Sequence, residues 1–585
     1  MTTIMSAPHC RRLAFAVLLV LPVSSLLAAD SRSSQQPPNI LFIAMDDLND
    51  WIGCLDGHPQ SITPNLDRLA ASGVLFTNAH CPGAACNPSR TAIMSGLSPH
   101  RSGLYANNQK MREVLPDAVI LPQYFRNHGY RASGSGKMLH YFIDARSWDD
   151  YFPDKETEDP FPRTLYPEKR PVSLPREPWQ YVETDWAALD ATDEEYGGDF
   201  LVAKWVSEKL AKKHDQPFFL ACGIYRPHEP WFVPKKYFDP FPLDKIQLPP
   251  GYKADDLDDL PPEGKRRGPN RYFAHIRKHK QWKPAVQAYL ASIYFADTML
   301  GHVLDALGKG PNASNTIVVL WSDHGWHLGE KQHWQKFTAW RASTRVPLIV
   351  RVPKGAPGLP SGTKPAVCVR PVSLLSLAPT LLQLSGLPTH KNHHGPSLVP
   401  LLKNPRADWP HVALTHLDQP GSFALSGERF RYIHYAGGGE ELYDIKNDPY
   451  EWRNLAGDKE HLVTLKRRRA LAPTKFAKAV PPSISSWPAL KWHPLAANAK
   501  TPPSKPAGGT FELVFINRTA KPVDIFWMNP TGGRKHYFTL APGNQHRQST
   551  RPGAIWQIAE GKGATAKPLG YFKVGDRAAK AVVPK

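Results

Sequence analysis

The sequence predicts an α/β domain followed by a small all-β domain. Three observations predict it. Continuous apolar runs stand at 39–45 (NILFIAM), 217–224 (PFFLACGI) and 316–321 (TIVVLW). Such runs, without polar alternation, are the pattern of parallel strands buried on both faces. Helical patterns lie between them, among them 199–214 and 286–307. After a Pro- and Lys-rich stretch from Pro481 to Gly509, short runs alternate between Gly, Pro and Asn turns, as in a small β domain. With 585 residues, 41% hydrophobic and 21% charged, the chain has room for one large core and a smaller one.

At the N-terminus, Arg11-Arg12 precede an apolar run from Leu13 to Ala29 that Pro22 interrupts. A basic start and a short, broken apolar segment read as a signal peptide over residues 1–29, cleaved near Ala29–Asp30. The expectation is a periplasmic or secreted protein without a stable membrane span, an uncleaved anchor being the alternative. Residues 30–37 form a polar tether. The first strand then ends in Asp46-Asp47. Two adjacent carboxylates repel unless a cation or donors neutralise them, and ligands of open α/β sheets bind at this end of the strands. A strand-end turn with solvated acids is the plainer alternative. Thr63 to Ala70 reads as a helix with Thr63 as N-cap, Pro64 at its first position and Gly73 as its stop.

Cys86-Asn87-Pro88-Ser89-Arg90 opens an apolar stretch that ends at Gly96. Pro is tolerated in a first helical turn, so 89–95 reads as a short helix with Cys86 and Arg90 at its anion-favouring start. Val119 to His128 is a further helix. Gly134-Ser-Gly-Lys137 to His140 is a tight turn but not a phosphate-binding loop, because the G-x-x-x-x-G-K spacing is absent. Residues 145–195 lack periodicity and read as a long irregular insertion. The strand ending at Ile224 runs into Arg226-Pro227-His228-Glu229-Pro230, where flanking prolines fix the direction of the histidine. Residues 251–280 are charged and read as a surface excursion. The strand from Thr316 ends in Ser322-Asp323-His324-Gly325, repeating the first pattern: an apolar run, then metal-capable side chains. Two such ends in one sheet would bring Asp46, Asp47, Asp323 and His324 around one cation. Residues 430–452 alternate like a hairpin or small sheet. Beyond the linker, 512–515, 523–527, 536–540 and 554–558 read as strands.

The formal net charge is +20. It favours a polyanionic partner, or a solvated basic surface. None of the six cysteines forms a C-x-x-C pair, so neither a zinc knuckle nor a disulfide framework is indicated.

The run C-x-P-S-R with a glycine ten residues after the cysteine resembles the signature of the type I sulfatases. The ordered set of strand–Asp-Asp, C-x-P-S-R, G-K-x-x-H, P-H-x-P and S-D-H-G, then Lys336 and the ending ELYD…NDPYEWRNLA, resembles that family over residues 38–500. It is most similar to the iduronate-2-sulfatase-like branch. The resemblance implies a mixed, mostly parallel sheet sandwiched by helices with a smaller C-terminal α+β subdomain, as in the alkaline phosphatase superfamily. It implies a sulfuric ester hydrolase acting on a sulfated saccharide, with no nucleic-acid partner. Cys86 would be converted to formylglycine by a formylglycine-generating enzyme or an equivalent maturase. One divalent cation, Ca2+ or alternatively Mg2+, would be held by Asp46, Asp47, Asp323, His324 and the oxygen of modified Cys86. Arg90, Lys137, His140, His228 and Lys336 would line the sulfate. His324 stands where many relatives have Asn. Competing readings are a phosphonate monoester or phosphodiester hydrolase with the same site, and a non-catalytic sulfated-glycan-binding protein in which Cys86 stays a thiol.

The expected boundaries are 38–498 for the catalytic domain, 499–509 for the linker and 510–585 for the β domain. Phe515-Ile-Asn-Arg-Thr519, Val523 to Trp527, Leu540-Ala-Pro-Gly543 and Ile555-Trp556 resemble the von Hippel–Lindau β domain. Its ligand is unassigned by sequence.

Overall fold

A computed structural model describes residues 37–166, 174–175, 177, 183–485, 487–496, 499–507, 511–560 and 566–585. The expected signal peptide, the tether up to residue 36, parts of the 145–195 insertion and the end of the linker lie outside the described residues.

Eight strands build the main sheet: β1 (Asn39–Met45), β2 (Val74–Phe76), β3 (Arg131–Gly136), β4 (Asp150–Phe152), β5 (Phe218–Ile224), β6 (Thr316–Ser322), β7 (Leu348–Arg351) and β8 (Ala366–Cys368). Their order is β8-β2-β7-β6-β1-β5-β3-β4. Only β7 runs antiparallel to its neighbours, so the sheet is mixed and mostly parallel, as expected. Successive residues of β1 point to opposite faces, and each face has its own core. Leu41, Ile43 and Met45 pack with Val202, Val206, Ile293 and Val303. Ile40, Phe42 and Ala44 pack with Ile93, Met94, Leu377 and Leu381. This double covering is why the strand reads as an unbroken apolar run.

The covering helices are α1 (Pro64–Ala70), α2 (Cys86–Ser95), α3 (Asp199–Leu210), α4 (Trp282–Lys309) and α5 (Leu377–Leu384). Thr63 is the N-cap of α1, as expected, but its side chain does not cap. The Thr63 hydroxyl accepts from the Gly53 amide at 2.8 Å and makes no capping bond. Asp297 of α4 caps the helix from outside, accepting from the Asn65 and Leu66 amides at 3.1 and 2.8 Å. Tertiary packing supplies the acceptor, which no local reading could find.

The 145–195 insertion is less irregular than expected. Its residues Asp150–Phe152 form β4, pairing with β3 at the sheet edge, and Trp186–Leu189 pairs in parallel with Trp231–Pro234. The 251–280 segment is not wholly on the surface either, since the helix Arg271–Lys278 buries Phe273 and Ile276.

A four-stranded antiparallel sheet follows, β9 (Ala413–His416), β10 (Phe423–Ser426), β11 (Phe430–His434) and β12 (Glu440–Asp444). It closes the smaller C-terminal subdomain, and α6 (Leu462–Arg469) comes after it. The last strands are β13 (Trp492–Pro494), β14 (Phe511–Asn517), β15 (Val523–Met528), β16 (Arg534–Leu540), β17 (Gln545–Thr550), β18 (Ile555–Glu560), β19 (Lys567–Lys573) and β20 (Ala579–Val583). They form sheets β13-β19-β18-β15-β16 and β17-β14-β20 around Leu513, Phe515, Ile525, Trp556, Ile558 and Phe572. The first of these strands precedes residue 499, and Thr501 and Ser504 of the expected linker bond to Gln557 and Ile555.

Two strands of the main sheet approach too closely for a side chain at Gly136. Its φ is +68°, and a Cβ there would lie 2.1 Å from the Gly223 carbonyl oxygen. Gly136→Ala is expected to lower stability by about 2 kcal/mol or more, read as a lowered urea midpoint.

Candidate active site

Four adjacent parallel strands deliver the site. Asp323 and His324 follow β6, Asp46 and Asp47 follow β1, His228 lies just past β5, and Lys137 follows β3. Cys86 is the first residue of α2, whose ten residues are all buried. The helix starts three residues earlier than expected. Its N-cap is Ala85, which has no side-chain acceptor, and Asn107 Oδ1 takes the Asn87 amide instead at 3.0 Å. Gly96 ends it at φ +70°.

Asp47 sits at φ +60°, an uncommon conformation for a residue with a side chain. Two bonds hold it there. Its amide donates to Asp323 Oδ1 at 3.2 Å, and the Tyr289 hydroxyl donates to its carbonyl at 2.8 Å. The backbone strain turns the carboxylate inward.

The side chains form one charge-balanced cluster. Arg90 donates through Nε to Asp323 Oδ2 at 2.7 Å and through a terminal nitrogen to Asp46 Oδ1 at 3.1 Å, and its other terminal nitrogen bonds the Lys137 carbonyl. Lys137 also pairs with Asp46. Lys336 Nζ lies 2.7 Å from Asp47 Oδ1 and 3.0 Å from Cys86 Sγ. Three buried carboxylates thus face three buried cations. Unpaired, any of them would carry a large desolvation penalty. Burial raises the Asp46 carboxyl, but Lys137 and Arg90 outweigh it and hold the group far below the ordinary range. Burial also raises the Cys86 thiol, yet Lys137, Lys336 and His324 bring it well below its usual value.

His324 Nδ1 bonds the Gly325 carbonyl at 3.1 Å, which turns Nε2 toward Cys86 Sγ at 3.2 Å and Asp47 and Asp323 at 3.4 Å each. His228 Nδ1 bonds the Glu229 carbonyl at 2.6 Å, so its Nε2 faces Asp47 Oδ2 at 3.6 Å. That oxygen is buried without a hydrogen-bond partner. Ligand atoms of Asp46, Cys86, Asp323 and His324 lie within 4.8 Å of one another, as do those of Asp46, Asp47, Cys86 and His228. An orphaned carboxylate oxygen, an inward imidazole and an oxygen-rich set fit a hard divalent cation. The two sets share Asp46 and Cys86; Asp323 and His324 belong to the first, Asp47 and His228 to the second.

Residues 38–387 match the sulfatase family model, and residues 329–471 match that of the C-terminal domain of N-sulphoglucosamine sulphohydrolase. The chain belongs to the sulfatase family. This sulfatase is 40% identical to a sulfatase of Formosa agariphila over 449 residues, which covers 74% of this chain and 86% of that one. It is 31% identical to iduronate 2-sulfatase of Mus musculus, covering 73% and 84%. Its fold is shared with phosphonate monoester hydrolase of Agrobacterium radiobacter, at TM-score 0.59, 24% identity and coverage of 74% and 94%.

In this sulfatase Lys137, His140, His228 and Lys336 all gather at Cys86. His140 bonds toward the Cys86 side chain, and its Nδ1 is without a partner. Arg90 differs from expectation. All three of its nitrogens bond within the protein, to Asp323, Asp46 and the Lys137 carbonyl, so it ties the carboxylates together. Sequence reasoning missed Tyr141, Tyr225 and Trp326. The Lys137 ammonium lies 4.8 and 5.3 Å from the two tyrosine rings, and that of Lys336 lies 5.3 Å from the Trp326 ring. Adjacency to His140 and His324 was the available signal for Tyr141 and Trp326. His333 stays beneath the site, bonding the Lys336 carbonyl at 2.9 Å. Above the site opens a cavity of about 500 Å³ with Asn107, Asn108, Arg271, Tyr272, Gln335 and Phe337 on its walls.

Proposed function

We propose that this sulfatase removes sulfate from a sulfated saccharide, with specificity of the iduronate-2-sulfatase kind. Residue 86 acts as formylglycine beside a divalent cation. The observation that carries the reading is the balanced cluster around Cys86. Three carboxylates and three cations cancel, so a divalent ion leaves the site net positive for the ester's anionic sulfuryl group. Asp46, Asp47, Asp323 and His324 would hold the ion with the modified side chain of residue 86. Calcium suits the carboxylate-rich set, with magnesium as the alternative. When bound, the ion lowers the pKa of a hydroxyl on residue 86 and polarises the sulfuryl group. The formyl group supplies that hydroxyl in its hydrated form.

The chain's own residues do the rest. Lys137 and Lys336, at 3.7 and 3.0 Å from the Sγ position, balance charge on the sulfuryl oxygens. His228 is held by its Nδ1 bond, so its Nε2 gives a proton to the leaving sugar oxygen. His140 takes a proton at residue 86 through the ring nitrogen that bonds toward it. Arg90 keeps Asp46 and Asp323 in place. The amide, guanidinium and aromatic walls of the cavity suit a hydroxylated, charged ring. We also infer a signal peptide with export to the periplasm or medium, a maturase acting on Cys86, and a von Hippel–Lindau-like β domain. Among the described residues no helix is long and apolar enough to cross a membrane.

The test is sulfate release from defined sulfated disaccharides, run beside a phosphonate monoester and a phosphodiester. Faster turnover of the phosphorus esters would overturn the reading. Chelation is expected to lower sulfate release at least about 100-fold, with calcium restoring it.

A further inference from the structure

The positive charge of this chain is not spread evenly. Residues 459–585 hold 22 Lys and Arg against 5 Asp and Glu, a net +17. Residues 1–458 hold 50 against 47, so nearly all of the chain's +20 lies in the last 127 residues. The four acids within 511–585 are already engaged. Glu512 pairs with Arg547, Asp524 with His536, Glu560 with Lys521 and Asp576 with Arg577. The region therefore has few carboxylates left to neutralise its remaining cations. Concentrated like charge opposes compaction, and here it is kept on the surface. Lys466 and Arg467 are exposed on α6, and Lys535 is exposed on β16.

Charge is joined by an open ring. Tyr537 on β16 is 41% exposed, and the Lys535 ammonium lies 5.6 Å from its centroid. β16 is an edge strand of its sheet, so this pair is open to a long ligand. An aromatic face beside a cation suits a sugar ring bearing an anionic group.

We propose that residues 459–585 form a holding surface for the sulfated polysaccharide whose esters the catalytic cavity hydrolyses, with Lys466, Arg467, Lys535 and Tyr537 among its contacts. The proposal rests on the sulfated-saccharide reading above. Holding the polymer raises the local concentration of ester groups at the cavity mouth, as any second tethered contact does. An acidic membrane would match the charge equally but would bring no substrate to the site.

The experiment uses the full chain with Cys86→Ala, which cannot turn over its ligand. Binding is measured to dextran sulfate, to unsulfated dextran and to phosphatidylserine vesicles at rising salt. Dextran sulfate should bind with a steep salt dependence, and dextran should not bind. The combined variant Lys466→Gln, Arg467→Gln, Lys535→Gln, Tyr537→Ala should bind about 10-fold more weakly, with a shallower salt slope. In the active chain the same substitutions should raise KM on sulfated polymer several-fold. They should leave kcat/KM on a sulfated monosaccharide unchanged, which also reports intact folding. Unaltered polymer binding by the variant, or tighter binding to vesicles than to dextran sulfate, overturns the proposal. Polymer binding without sulfate release from any saccharide would overturn the catalytic reading and leave the surface standing. Sulfate release without polymer binding would do the reverse.

Discussion

Cys86→Ala is expected to reduce sulfate release by at least about 10⁴-fold, because on the proposed mechanism it removes the reacting side chain and not merely a contact. Cys86 is 1% exposed, and its Sγ is within 3.7 Å of Lys137, Lys336 and His324. The fold should survive, since truncating one small buried side chain costs only about 1–2 kcal/mol. Cys86→Ser should be nearly as inactive. On the proposed mechanism, a serine sulfate ester lacks the second hydroxyl on the same carbon that lets the bound sulfate be expelled. The measurements are sulfate release, thermal unfolding and the mass of the peptide carrying residue 86. An active protein whose residue 86 retains its sulfur would refute the assignment, and so would activity surviving in Cys86→Ala.

Arg90→Met is expected to be the most destabilising single change at the site, by about 3–5 kcal/mol, because it strands buried carboxylates. Asp46 and Asp323 are both 0% exposed. Arg90 is at 3.1 and 2.7 Å from them. Methionine fills a similar volume but leaves three carboxylates against two cations. Added calcium should then recover part of the loss, and the recovery should exceed the gain calcium gives the parent chain. Urea unfolding with chelator and with calcium checks both signs. An unchanged midpoint in the variant would show that the guanidinium is not compensating those acids. Arg90→Lys should fall between, since a single ammonium cannot bond both carboxylates in the planar geometry of a guanidinium.

The legible part of this chain was the part governed by local rules. β1, β5 and β6 are buried on both faces, so their runs carry no polar interruption, and the charged residues after them mark the ligand end of the sheet. The family resemblance, and not spacing alone, named Lys137, His140, His228 and Lys336, which the fold brings near Cys86. What stayed hidden depends on distant partners. β4 has three residues and pairs only because β3 offers an edge. Asp297 accepts from the first amides of α1 across more than 200 residues, where the Thr63 side chain does not. Arg90 reads as a sulfate ligand by position, and only the packed geometry shows that it bridges Asp46 and Asp323. In the β domain β17, β19 and β20 were missed: β17 is polar throughout, Pro568 and Gly570 interrupt β19, and β20 offers only small Ala and Val side chains around Lys580.

The pairing of Trp492–Pro494 with β19 bears on where this molecule can be divided. Trp492 lies 5.1 Å from Phe572, and its indole sits so near Gly570 that a Cβ there would be 2.3 Å away. A recombinant fragment begun at Thr510 would strip that cover and leave β19 with a row of unsatisfied amides and carbonyls. Such a bare border is a template for self-association. Excision upstream of Pro488 keeps the border sealed.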